Sequence, residues 1–186
     1  YNSAMVDHTH EVLSELESVV STLKDAETGQ RGFIITGEGR YLDPYTAALS
    51  SISAKVDRVK DLTSDNPKQQ DRIRDLQPLI AGKLAELKEA IDLRRTEGFE
   101  AALAVVLTDA GKQVMDELRG VVAEMEEEEL ALLDERSAST ASTASTVKSV
   151  VLIGTVSAFA VLGAIAFFLS RSISNGFNTM LKAAEG

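Results

Sequence analysis

LDPYTAALSSISAKVDRV, residues 42–59, places Leu42, Tyr45, Leu49, Ile52, Val56 and Val59 at intervals of three and four without a miss. That spacing returns each apolar side chain to one face of an α-helix and makes a stripe that another element must cover. The same rhythm continues on both sides. Upstream it runs through Val6, Leu13, Leu16, Val20, Leu23 and Ile34; downstream through Ile73, Leu76, Ile80, Leu84, Leu87 and Ile91. A fourth run takes in Phe99, Leu103, Val106, Ala110, Val114, Leu118, Val121, Met125 and Leu132. No strand-like alternation competes with it. Between the runs, Gly37-Glu38-Gly39 offers a tight turn, Ser64-Asp65-Asn66-Pro67 a capped helix start and Glu97-Gly98 a reversal. Short connections make neighbouring helices antiparallel, so the expected fold is all-α, an up-down four-helix bundle with long first and fourth helices. Pro78 should bend the third helix or shift its start.

Composition narrows the chemistry. The chain has 186 residues, 44% hydrophobic and 26% charged, which excludes disorder by composition. With no cysteine and 3 prolines it is neither a disulfide scaffold nor a turn-rich sandwich, and thiol catalysis and cysteine zinc sites are excluded. His8 and His10 are two apart and lie on different helix faces, so they do not pair on a metal. Gly37-Glu38-Gly39 lacks the lysine of a phosphate loop, and no nucleophile is placed beside a histidine. The stretch is expected to be no enzyme and to need no cofactor or metal. Residues 1–146 carry 28 acidic against 16 basic side chains, a net of −12, and such a surface repels nucleic acid.

Residues 150–169, VVLIGTVSAFAVLGAIAFFL, are free of charge and would rise about 30 Å as a helix, one hydrocarbon thickness. The expected organisation is therefore a helical domain over 1–146, a transmembrane helix over 147–170 and a short segment over 171–186 beyond it. Lys148 and Arg171 flank the span, and the basic bias of Arg171 and Lys182 places the C-terminal end in the cytoplasm and residues 1–148 outside the plasma membrane. Tyr1 is not a start methionine, and the chain reads as a piece cut from a longer protein. A fourth helix of about 50 residues would extend about 75 Å and, with the first, form a stalk. Two amphipathic helices cannot hide their apolar stripes alone, so a parallel homodimer is expected. Three Ala-Ser-Thr triplets over 138–146 read as a continuous helix with small side chains.

The anomaly lies late in the first helix, at Asp25-Ala26-Glu27-Thr28-Gly29-Gln30-Arg31-Gly32-Phe33. Glu27 and Gln30 fall on the stripe that faces the core, and buried polar groups need partners. Glu27 and Arg31 are four apart and suited to an intrahelical pair. Gly29 and Gly32 each cost about 1 kcal/mol of helix propensity against alanine, which close approach of another segment would explain. Asp25, Glu27, Thr28, Gln30 and Arg31 thus form either a polar layer that fixes register or a layer that contacts a ligand and switches. Counting heights from the two ends brings Arg31 level with Glu124, and the stripe through Val121, Met125 and Leu132 turns Glu128 inward, so both acids are candidate partners.

The same stretch, followed by Ile34-Ile35-Thr36-Gly37 and Tyr41-Leu42-Asp43-Pro44-Tyr45, closely resembles the signature of the third class of CHASE domains. His8-Thr9-His10-Glu11-Val12-Leu13, Asp65-Asn66-Pro67-Lys68-Gln69-Gln70 and Glu129-Leu130-Ala131-Leu132-Leu133-Asp134-Glu135-Arg136 resemble further blocks of that family, over about residues 6–140. The resemblance implies an extracytoplasmic four-helix sensor between two membrane spans, the first of which would precede Tyr1. Residues 171–186 resemble the start of a HAMP relay helix, with Gly176 where such helices commonly have proline. Bundle, span and relay together imply a receptor module. An external cue or partner protein shifts the first helix against the fourth, and the span passes that shift to a cytoplasmic output. By resemblance a histidine kinase is the most common host, with a chemoreceptor or cyclic-nucleotide synthase next. A ligand-free membrane anchor that only dimerises its host is the alternative of a different class.

Overall fold

The computed structural model describes residues 2–138 together with 153 and 155. Residues 1–135 form one compact unit and 136–186 a second. Apart from Ala138, Ile153 and Thr155, the segments expected to cross the membrane and to relay, the Ala-Ser-Thr triplets, Lys148 and Arg171 lie outside the described residues. Among the described residues no helix is long and apolar enough to cross a membrane.

The described residues through 138 are helices joined by short turns. Helix α1 runs Asn2–Thr36, a 3-10 turn covers Gly39–Leu42, α2 runs Asp43–Leu62 and α3 runs Pro67–Thr96. Helix α4 is short, Phe99–Val106, and α5 covers 110–138. Punctuation read from the sequence works as expected. The Asn66 side chain accepts from the N–H groups of Lys68 and Gln69 at the start of α3, with Pro67 in the first turn. Gly37 closes α1 at φ 76, its N–H bonded to the Phe33 carbonyl at 2.7 Å. Pro78 does not interrupt α3.

The fourth run of the repeat is not one helix. The chain breaks at 107–109, where Asp109 takes φ 58 and the Thr108 hydroxyl accepts from the Ala110 N–H at 3.2 Å to begin α5. Apolar counting misses the break because Val106 and Ala110 keep a spacing of four across it. The stripes also differ in register. In α2, Ala48 is buried and Leu49 is half exposed. In α1, Val12 and Val19 are fully buried, Val20 packs against the core and Leu13 is only partly buried. In α5 the core residues are Met115, Leu118, Val122 and Met125, one position later than expected at two of the four. Large apolar side chains draw the eye, but the axis of the bundle takes whichever residue points at it.

All four long helices meet in one core: Val12, Leu16 and Leu23 of α1, Ile52 and Val56 of α2, Ile73 and Leu76 of α3, and Met115 and Leu118 of α5. Beyond Leu23 the packing changes. Ala26 and Phe33 meet Leu42, Tyr45, Leu87 and Ile91, and α4 covers Ile34 and Ala90 with Ala102. The returning turn lies hard against α1. A Cβ on Gly29 would come within 2.5 Å of the Tyr41 carbonyl oxygen, and one on Gly32 within 2.7 Å of the Tyr41 ring. That contact accounts for the two helix glycines.

Gly29→Ala is therefore expected to destabilise the bundle by about 1–3 kcal/mol through overpacking. Gly82→Ala, in α3 with nothing within 4 Å of its added carbon, should stabilise it by about 0.5–1 kcal/mol. Urea denaturation of the two variants against the parent measures both, and equal behaviour would refute the close-packing account.

Candidate functional site

Between Ile80 and Leu87, α3 turns Lys83 toward the axis of the bundle, where the residue is 1% exposed. A buried ammonium is tolerable only if its charge and protons are answered. Lys83 Nζ lies 3.1 Å from Glu27 Oε2 on α1 and 3.0 Å from Glu86 Oε2 on its own helix. It also donates to the Gly111 carbonyl, in the first turn of α5, at 3.2 Å. Three protons meet three acceptors, one from each of three helices. The other oxygen of Glu27 takes the guanidinium of Arg31, so two cations and two carboxylates close the set. Gly111 lets Glu86 approach, since a Cβ there would stand 2.5 Å from Glu86 Oε2.

The polar segment of α1 is thus divided by the structure. Glu27 and Arg31 pair as their spacing suggests, and Gln30 is buried with its Nε2 unpartnered among the described residues. Asp25 faces solvent, and Thr28 is exposed with its hydroxyl bonded to the Lys24 carbonyl at 2.8 Å, so neither joins the layer. Gly29 and Gly32 serve the turn.

A second layer crosses the bundle near the start of α3. Gln69, fully buried, donates through Nε2 to the Met125 carbonyl and to Glu129 Oε1, both at 2.9 Å. Glu129 is itself 3% exposed. At the rim, Glu128 meets Lys68 at 3.2 Å and Arg72 at 3.7 Å, and Glu124 meets Arg72 at 3.5 Å. The expected meeting of Arg31 with Glu124 does not occur. Counting heights from the chain ends fails because side-chain packing sets the register: Gly111, not Glu124, stands at the level of Glu27. Glu128 is turned inward only in part, and its neighbour Glu129 is the acid the core takes.

Sequence reading missed Lys83, Glu86, Gln69 and Glu129. A signal existed. Lys83 stands three after Ile80 and four before Leu87, Gln69 four before Ile73, and Glu129 four after Met125, all on core positions of the repeat. An apolar count discards polar residues before asking where they point.

Through Lys83 the layer joins three helices, α1, α3 and α5. A model of the CHASE3 domain matches residues 2–139. Among solved structures, the chain is similar to the sensor domain of histidine kinase HK9 from Rhodopseudomonas palustris, at 25% identity and a TM-score of 0.63. That likeness covers 68% of this chain and 98% of that one. Comparison with curated proteins finds no match.

Lys83→Met leaves Glu86 without its cation and Glu27 with Arg31 alone, and should cost about 3 kcal/mol; adding Glu27→Gln and Glu86→Gln should recover part of that loss, read by denaturation of the three variants. Acid sensitivity has a separate source. The hydrogen bond from Lys68, aided by its charge and that of Arg72, holds the Glu128 carboxyl below its usual range against the opposing effect of burial. A lowered folded-state pKa means the carboxylate stabilises the fold above the unfolded value and loses that contribution as pH falls through the folded one. Glu128→Gln should flatten this part of the melting temperature against pH below about pH 5, where an unchanged slope would refute the assignment.

Proposed function

This chain belongs to the CHASE3 domain family, and from that premise we propose that it is the extracytoplasmic sensor and signal-transmitting part of a bacterial transmembrane receptor. The receptor is a sensor histidine kinase. Residues 1–148 stand outside the inner membrane, 150–169 cross it between Lys148 and Arg171, and 171–186 begin a HAMP relay toward a cytoplasmic output domain. Two copies stand in parallel about the membrane normal. An external cue or partner protein repacks the bundle, and α5 carries the change toward the apolar segment beyond it in sequence.

Support for the kinase comes from the likeness to the HK9 sensor domain. The observation that carries the transmission step is the bond from Lys83 to the Gly111 carbonyl, made while the same ammonium holds Glu27. The first turn of α5 is thereby tied to α1, so a displacement of α1 is felt where α5 begins. A coupling of about 1–3 kcal/mol between two packings changes output by about 5- to 150-fold.

Removing the tie should move the resting output by an amount in that range. The test is autophosphorylation of the whole receptor in membranes, with Lys83→Met and Glu27→Ala against the parent. Helix content should be unchanged in each. If both variants fold and neither alters phosphorylation, the chain is an anchor that spaces and dimerises its host, and the sensor reading fails.

A further inference from the structure

The polar contacts of the bundle sort by the pair of helices they join. On α3 the two buried donors, Gln69 and Lys83, are 14 residues apart, and on α5 the carbonyls they reach, Met125 and Gly111, are also 14 apart. The two bonds therefore report one antiparallel register at two levels, separated by about 21 Å. Both acceptors are backbone atoms, fixed in the helix, so α5 cannot slide along α3 without breaking both bonds together. Gln69 to Glu129 and Arg72 to Glu124 add to the same pair.

Helices α1 and α2 are joined in their own way. Gly29 and Gly32 admit Tyr41 against α1, Lys55 bonds the Ser18 hydroxyl, and Arg58 pairs with Glu11. Across the two seams between these hairpins the packing opens. A groove of about 430 Å³ lies along the α2–α3 seam, with Val56 and Asp57 on one side and Gln77 and Leu84 on the other. Along the α1–α5 seam lies another, of about 550 Å³, between Leu13 and Leu130. Polar ties do cross the α1–α3 contact: Lys83 to Glu27, and Arg94 Nε to the Ile34 carbonyl at 2.7 Å. In the first of these both ends are side chains with rotatable bonds, whereas the α3–α5 pair has two bonds that end on backbone carbonyls at two levels.

We infer that the bundle is two rigid hairpins, α1–α2 and α3–α5, and that its mobile joint is the seam between them, latched by Glu27–Lys83 and Arg94–Ile34. The helix that leads toward the membrane segment does not move alone; α3 moves with it. The signalling consequence rests on the receptor reading proposed above, whereas the mechanical division stands on the packing. A cue that opens or shifts the seam turns α3–α5 as one body, and the Lys83 side chain, kept by Glu86 and Gly111, exchanges only its Glu27 contact.

The chain has no cysteine, so spin labels attach only where they are introduced. Labels at Ser53→Cys and Gln77→Cys, both exposed beside the α2–α3 groove, report the seam; labels at Asp75→Cys and Glu117→Cys, exposed on α3 and α5, report the hairpin. Distances are measured by electron paramagnetic resonance on the 186-residue chain in lipid nanodiscs. Cutting the latch with Glu27→Gln and Arg94→Ala is expected to shift or broaden the seam distance by about 1–2 Å while the hairpin distance holds. If the double variant loses helix content, Glu27→Gln alone is read on the same terms. A hairpin distance that changes as much as the seam, or no change in either, overturns the inference. The readout is a distance, so a variant that leaves phosphorylation untouched would sink the receptor reading and not this one.

Discussion

A single positive charge set in an apolar core governs how this bundle is assembled. Lys83 cannot be buried without acceptors, and the acceptors it finds belong to α1, α3 and the first turn of α5. Hydrophobic contacts are tolerant of small slides, because one methyl replaces another at little cost. An ammonium with three fixed partners is not, and a helix displaced by a turn would leave charges unanswered in a low-dielectric interior. The layer thus supplies what a repetitive apolar stripe lacks, a defined register.

The second constraint is steric, and it acts on the first hairpin. The chain must reverse after Thr36 and return close enough for Leu42 and Tyr45 to reach the core beside Phe33. Only a missing Cβ at Gly29 and Gly32 permits that approach. Charge fixes α3 against α5 and space fixes α1 against α2. Across the seams between the hairpins the same charge makes only the Glu27–Lys83 latch, beside Arg94 on the Ile34 carbonyl, and there grooves open. A sensor needs parts that hold their shape and a boundary that can yield, and the two kinds of constraint are distributed accordingly.

Much of this was legible without coordinates. The helical class, the number of long helices, the cap at Asn66, the glycine reversals and the resemblance to the third class of CHASE domains all rest on local chemistry, which the chain carries residue by residue. Glu27 with Arg31 was also legible, because a pair four apart is set by helix geometry alone. What escaped depended on apolar counting. It passed over Lys83 and Gln69 for being polar, preferred Leu49 to Ala48 for being large, and ran through the break at Asp109 because the rhythm survives it.

Sequence by itself determined the helical stretches, their order and the presence of unusual polar residues on faces that must be covered, though not the break at Asp109, since propensity, capping and periodicity act over a few neighbouring positions. Only the tertiary structure decided the partners. Whether Glu27 stands level with Gly111 or with Glu124 depends on how far one helix is displaced along another. That displacement is the joint outcome of every contact between them, so no local stretch encodes it. The register is recorded where two donors on α3 meet two backbone carbonyls on α5.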